Sequence, residues 1–240
     1  MKLHLSAVIL TLTLSACGGG GGGGGGSGSG GGASQSQTSA AFVAPAQGEQ
    51  RVFAETIAEV GGASSTHNVY EQITQVNADG SYTGRWSEDS YYLGGNGPYE
   101  SDPYSYTYNT VGDVIGVTTI VDYCTNTFPS GGRPVSMQPG QTWDDSYVSK
   151  CQSGNGTSTT TVSGTYLGVE SVSVPAGTYN AYKFETRQVV NSYTYVNTYW
   201  YDTSATDSRL VRELWQLQPN STTSPNPQAV SYYDKQLASY

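Results

Sequence analysis

Charge is what this sequence has least of. Only 12% of its 240 residues are Asp, Glu, Lys or Arg, where intracellular soluble domains carry about a quarter. Its surface must stay polar through Ser, Thr, Asn and the hydroxyls of 20 tyrosines, a balance that suits the cell surface or the extracellular space. The 10 Lys and Arg form no run after the first residues and face 19 acids. Nucleic-acid binding needs clustered cations to neutralise phosphates, so that class is excluded.

Histidine is almost missing too. After the first residues only His67 remains, in a GGASSTHN stretch that reads as a loop with a solvated imidazole, and there is no Gly-x-Ser-x-Gly turn for it to serve. A Ser-His-Asp hydrolase therefore has no support. Acids are paired at Glu88-Asp89 and Asp144-Asp145, but neighbours along a strand point to opposite faces, which suits neither a shared proton nor glycoside cleavage. The expectation is a noncatalytic chain with no cofactor and no transition metal. The one cation site its acids would allow is a weak calcium site at Asp89, Glu100 and Asp102.

Long apolar runs are absent after the leader, so no later segment can cross a membrane as a helix. At the start, Lys2 precedes Leu5 to Leu14 (LSAVILTLTL), and the small residues Ser15 and Ala16 follow. This run is too short to span a bilayer, which needs roughly 20 apolar residues, and it reads as a secretory signal over residues 1–16. Its end, LSAC from Leu14 to Cys17, resembles the lipobox of bacterial lipoproteins. The resemblance implies cleavage before Cys17, a diacylglyceryl group on its sulfur and an acyl chain such as palmitate on the new amino terminus. The lipid bilayer then becomes a partner through acylated Cys17, since more than one buried chain gives stable attachment. Gly18 stands where an aspartate would resemble the inner-membrane retention signal, which implies the outer membrane. Gly18 to Gly32 and the following SQSQTSA offer almost nothing to bury, so residues 17–41 read as a flexible tether. A coil of that length spans about 25 to 30 Å, at 5 to 6 Å times the square root of the residue number. Residues 42–240 read as a single β domain.

With Cys17 committed to lipid, Cys124 and Cys151 are an even remainder in an oxidising compartment, and no Cys-x-x-Cys or histidine neighbour suggests redox or metal use. A structural disulfide between them is expected.

From Val69 onward the residues alternate with period two between turn signals. NVYEQITQV leads through Asp79-Gly80, a hairpin signal, into SYTGRW. The same grammar runs through YSYTYNT, VIGVTTIVDY, DSYVSKC, STTTVSGTYLGVESVSV, TYNAYKFETRQVV, NSYTYVNTYWYD, RLVRELWQLQ and AVSYYDKQL. Val, Ile, Thr, Tyr and Trp enrichment fits half-buried strands. The fold class is all-β, an antiparallel, strongly curved sheet or barrel of eight or more strands. QRVFAETIAEV, Gln50 to Val60, fits either a short helix through Phe53, Ile57 and Val60 or a strand using Val52, Ala54, Ala58 and Val60. A transmembrane barrel would need apolar alternate positions, which TRQVVNSYTYVNTYW lacks.

Two stretches, ESVSVPAGTYNAYKFE (Glu170 to Glu185) and TYWYDTSATDSRLVRE (Thr198 to Glu213), together resemble a hairpin module of uncharacterised exported bacterial β proteins and lipoproteins. That module combines VPAGT, YWY and LVR, and PGQTW (Pro139 to Trp143) resembles its Gly-x-x-Trp element. TSATDS replaces the usual short Pro/Gly turn. The resemblance implies, distantly, the curved sheet of the lipoprotein carriers LolA and LolB, which hold acyl chains on a concave face. In the residues themselves, Pro175-Ala176-Gly177 makes a tight reversal. Trp200 must face away from Tyr199 and Tyr201; these three are the weak binding candidates, with core packing the more natural role for Trp200.

Two noncatalytic functions fit. One is a surface or periplasmic interaction domain contacting a glycan or a protein; the other is a binder of lipid or another apolar ligand. Apolar inward positions around a void would mark the second and a filled interior the first. The many Thr, Ser and Tyr at alternate positions favour the first.

Overall fold

A computed structural model describes residues 40–59, 64–90, 99–100, 104–118, 123–128, 132–152, 157–190, 193–204, 208–219 and 230–240. Its strands are β1 (Ala40–Ala41), β2 (Gln50–Glu59), β3 (Ser64–Val76), β4 (Tyr82–Ser90), β5 (Tyr99–Glu100), β6 (Tyr104–Tyr108), β7 (Val114–Thr118) and β8 (Tyr123–Thr127). They continue with β9 (Ser136–Met137), β10 (Thr142–Cys151), β11 (Thr157–Val174), β12 (Gly177–Val190), β13 (Tyr193–Asp202), β14 (Leu210–Pro219) and β15 (Val230–Ser239). No helix occurs among the described residues.

Twelve of these strands form a closed antiparallel barrel. The ring follows chain order from β2 to β4, then β6 to β8, then β10 to β15, and β15 returns to pair with β2. β5 adds to β4 at the rim, while β1 and β9 form a separate pair. The Asp-Gly signal is the β3–β4 turn: Asn77 and Ser81 close it, Gly80 sits at φ 87°, and Asp79 accepts the Ser81 N–H at 2.9 Å. Gly177, at φ 140°, ends the two-residue reversal between β11 and β12. That hairpin outruns β13, and the Ala176 N–H donates to the Leu237 carbonyl at 3.0 Å, fastening its tip to β15. Cys124 and Cys151 lie opposite each other on β8 and β10 and are joined by a disulfide. In the chain-entropy account a loop of that size adds about 3.5 kcal/mol.

Two local expectations change. Gln50–Glu59 is a strand, and the helical option fails because β3 and β15 hydrogen-bond it from both sides. Its interior face carries Arg51 and Phe53, while of Val52, Ala54 and Ala58 only Ala58 is buried. The phase is set by the partners, since Phe53 lies opposite Val69 and Leu237. His67 is not in a solvated loop. β3 begins at Ser64 and alternates strictly, so His67 joins Val69, Glu71 and Ile73 on the buried face while Asn68, Tyr70, Gln72 and Thr74 face water.

Candidate functional site

Tracing opposite residues around the ring defines one inward face. Arg51, Phe53 and Glu55 of β2 lie opposite Glu71, Val69 and His67 of β3, while Phe53 and Glu55 also face Leu237 and Lys235 of β15. Lys235 faces Glu213, Glu213 faces Tyr199, Tyr199 faces Phe184, and Phe184 faces Tyr166. The interior is thus aromatic, aliphatic and charged together. Phe53 stacks on Trp86 at 5.6 Å from two strands away, and Tyr82 stacks on Tyr108 at 4.6 Å.

A polar network crosses this interior. Lys235 Nζ donates to Glu213 Oε2 at 2.9 Å and lies 4.6 Å from the centre of the Trp86 ring. The Tyr233 hydroxyl donates to Glu213 Oε1 at 2.8 Å, and the Tyr104 hydroxyl donates to Glu88 Oε1 at 2.7 Å. His67 Nε2 stands 3.0 Å from Glu55 Oε2 and 4.0 Å from Glu88 Oε2. Burial by itself would raise the Glu55 carboxyl, but the His67 hydrogen bond, with the charges of Lys235 and His67, outweighs it and holds the group below the usual range. Burial would likewise strip the proton from Lys235, yet the charges of Glu213 and Glu55 reverse this and hold its ammonium more firmly than usual. Burial, with Glu88 or Glu213 adding to it, pushes the Tyr104, Tyr199 and Tyr233 hydroxyls far above the phenol range. At neutral pH these tyrosines keep their protons and none is an anion able to act as a base. His67, at 9% exposure, is shielded from any substrate in solution.

The barrel base is closed by the arm that precedes β2. β1 pairs with β9, and Phe42 packs edge-on against Tyr201 at 5.7 Å. Arg133 lies 4.8 Å from the Phe184 ring and 5.3 Å from Tyr201. The cavity left beside the arm measures about 20 Å³ and is lined by Phe42, Arg133, Met137, Phe184 and Tyr201 among others. That holds about one water molecule.

The weak binding candidates divide as alternation requires. Tyr199 and Tyr201 are half-buried on the inward face, packed against the Tyr166, Tyr182 and Phe184 cluster. Trp200 is on the outer face and is still only 5% exposed. Its indole N–H donates to Glu170, and Lys183 and Arg212 lie 5.2 and 5.1 Å from its ring. Arg212 in turn forks onto both carboxylate oxygens of Asp234 at 2.8 Å. The ring is closed off by these charges and by the apolar cluster it joins with Val172, Val174, Ala181 and Val211, and it offers no stacking surface. Of the paired acids, Asp145 is buried and Asp144 exposed, on opposite faces as expected. Asp89 and Glu100 lie opposite each other on β4 and β5; their side chains, Asp102 and Cys17 fall outside the described residues. No group of three or more His, Cys, Asp or Glu at metal-binding distance occurs among the described residues.

Sequence reasoning missed the Glu55, His67, Lys235 and Glu213 network, and with it the Phe42 and Arg133 contact at the base. A signal for the first was available: in RVFAE, Arg51 and Glu55 share alternate positions with Phe53, placing charge in phase with a core residue.

No protein-family model and no curated protein matches the chain. Among solved structures it is similar to the hypothetical lipoprotein YmcC of Escherichia coli K12, at 12% identity and a TM-score of 0.43, over 79% of this chain and 84% of that one. It is also similar to a Bacteroides fragilis protein with a YmcC-like fold, at 13% identity and a TM-score of 0.45, over 83% of this chain and 98% of the other.

Proposed function

We propose that the chain is an exported lipoprotein, held on the outer membrane by acylated Cys17, whose barrel is a noncatalytic interaction domain and not a carrier of acyl chains. The filled interior carries this reading. Pockets for small ligands run to about 300–1,000 Å³, whereas the best-formed cavity among the described residues has about 20 Å³. The positions a carrier would line with aliphatic groups hold Tyr166, Tyr199, Tyr233, Glu213 and Lys235: Tyr233 and Lys235 bond Glu213, Tyr166 packs on Phe184, Tyr199 on Tyr201 and Tyr233 on Trp215. The network's histidine and carboxylates are likewise occupied with each other, which supports the absence of catalysis. LSAC supports the anchor.

Two measurements test the two halves. Cys17→Ser should move the protein from the membrane to the soluble fraction and abolish incorporation of a labelled acyl chain; continued membrane fractionation without label in the parent protein removes the anchor. Native mass spectrometry of the exported protein should show the chain without a ligand. A co-purifying acyl-containing mass would overturn the interaction reading in favour of lipid binding.

A further inference from the structure

The segment that closes the barrel base is held by parts of the chain far from it in sequence. Ala40 and Ala41 lie opposite Met137 and Ser136 in the β1–β9 pair. The Val43 N–H donates to Ser208 Oγ at 2.9 Å, and the Ser208 N–H returns a bond to the Val43 carbonyl at 3.0 Å. Phe42 stacks on Tyr82 at 6.3 Å and lies 5.8 Å beneath the Arg133 guanidinium. Firm attachment to β3 begins only at Gly48 and Glu49, where the Gly48 N–H donates to Ile73 at 2.8 Å and the Ile73 N–H donates to Glu49 at 2.9 Å. Gly48 has φ 86° with open space where a Cβ would stand. Residues 40–46 are therefore an arm hinged at a glycine, and fully extended they reach about 23 Å at 3.3 Å per residue.

Its mode of attachment is that of a peptide ligand: a short strand addition supplies main-chain bonds and one aromatic side chain enters a pocket. Main-chain pairing does not discriminate between chains, and the pocket reads only Ala-x-Phe-Val. Upstream of the arm come the small and polar residues ASQSQTS and then the glycine-rich tract that ends at Gly32, with no bulky side chain to obstruct its passage.

We propose that the base groove is a binding site for an extended Ala-x-Phe-Val segment and that copies of this chain exchange their arms through it. Each arm seated in a neighbour keeps every bond it makes at home, and only the hinge changes conformation, which is the low-cost route to dimers that swapping offers. Exchange does not depend on the lipid anchor. If Cys17 is acylated as proposed above, confinement to one membrane raises the effective concentration of neighbouring arms.

The test uses two full-length chains carrying different tags, one with Ala40→Cys and the other with Met137→Cys, co-expressed with export in both the parent and Cys17→Ser backgrounds. After oxidation, a disulfide-linked species at twice the chain mass and bearing both tags is expected. It should be absent when Met137→Cys is replaced by a cysteine at the exposed Asp144. The doubly substituted chain, Ala40→Cys with Met137→Cys, reports the seated arm. Ala41→Cys with Ser136→Cys repeats the experiment at the adjacent register should the buried pair disturb folding. If a double variant closes within one chain while the mixed chains give no two-tag species, exchange is refuted. If neither double variant closes, the arm does not occupy the groove and the proposal falls as well. A parent protein that is not membrane-anchored, yet gives the two-tag species, would refute only the lipoprotein reading.

Discussion

Replacing Gly164 by alanine should damage this barrel far more than a one-carbon change on a β-strand ordinarily would. Gly164 on β11 lies opposite Trp143 on β10, and the indole occupies the space beside the glycine where a side chain would begin. A Cβ built at residue 164 would fall 2.1 Å from Trp143 Cζ2 and 2.3 Å from Cε2, well inside contact distance. A rigid bicyclic ring cannot yield by bending at its tip, so it must swing away as a unit. Doing so disturbs its edge-on contact with Phe184, 6.3 Å away, in the cluster that also holds Tyr166 and Tyr182. Overpacking of this kind costs about 1–3 kcal/mol. In a domain of roughly 200 residues each kcal/mol lowers Tm by about 2–4 °C, so a fall of about 2 to 12 °C is expected. Thermal unfolding followed by circular dichroism should be run on the parent, Gly164→Ala, Trp143→Ala and the double variant. The argument requires most of the Gly164→Ala loss to vanish once Trp143 is alanine. A loss under about 1 °C, or one of equal size in both backgrounds, would refute it.

Two further substitutions probe the interior charges. Lys235→Met leaves Glu213 and Glu55 buried without their cation, which should lower stability by about 3–5 kcal/mol at pH 7. Protonation relieves the stranded carboxylates, so the deficit in urea midpoint should shrink at pH 5; an unchanged deficit would show that packing, not charge, is responsible. Asp145 is 7% exposed, and burial, followed by the charge of Asp113, raises its carboxyl above the ordinary aspartate range. An acid whose pKa is higher folded than unfolded opposes folding at pH values above both, and not below them. Asp145→Asn should therefore raise Tm at pH 7, with the gain disappearing as pH falls below the ordinary carboxylate range. A lower Tm at pH 7 would count against it.

What could be read in advance follows from the range of the physics involved. Asp79-Gly80 and Pro175-Ala176-Gly177 announce their turns because the backbone conformations involved are local properties of those residues. Alternation separated Trp200 from Tyr199 and Tyr201 for the same reason, since a strand has period two whatever surrounds it. The phase of β2 was not local: Phe53 turns inward because Val69 and Leu237 do, and that register is made by strands that come later. His67 was misread because a polar residue after two glycines matches loop composition, while its burial depends on Glu55 and Glu88 arriving from β2 and β4. The covering of Trp200 required Glu170, Lys183 and Arg212 to meet from three different strands. Closure itself, as opposed to curvature, rests on the single pairing of β15 with β2.

That last pairing sets an order of events for synthesis and export. Every other contact in the ring joins strands that follow one another along the chain, so the sheet can be laid down as it emerges, one hairpin after the next. Until the residues from Val230 to Ser239 arrive, however, β2 and β14 each present a row of unpaired amides and carbonyls to whatever is nearby, the usual starting point for aggregation. A chain cut short before β15 is therefore an open ribbon with two adhesive margins, and its fate passes to chaperones and proteases.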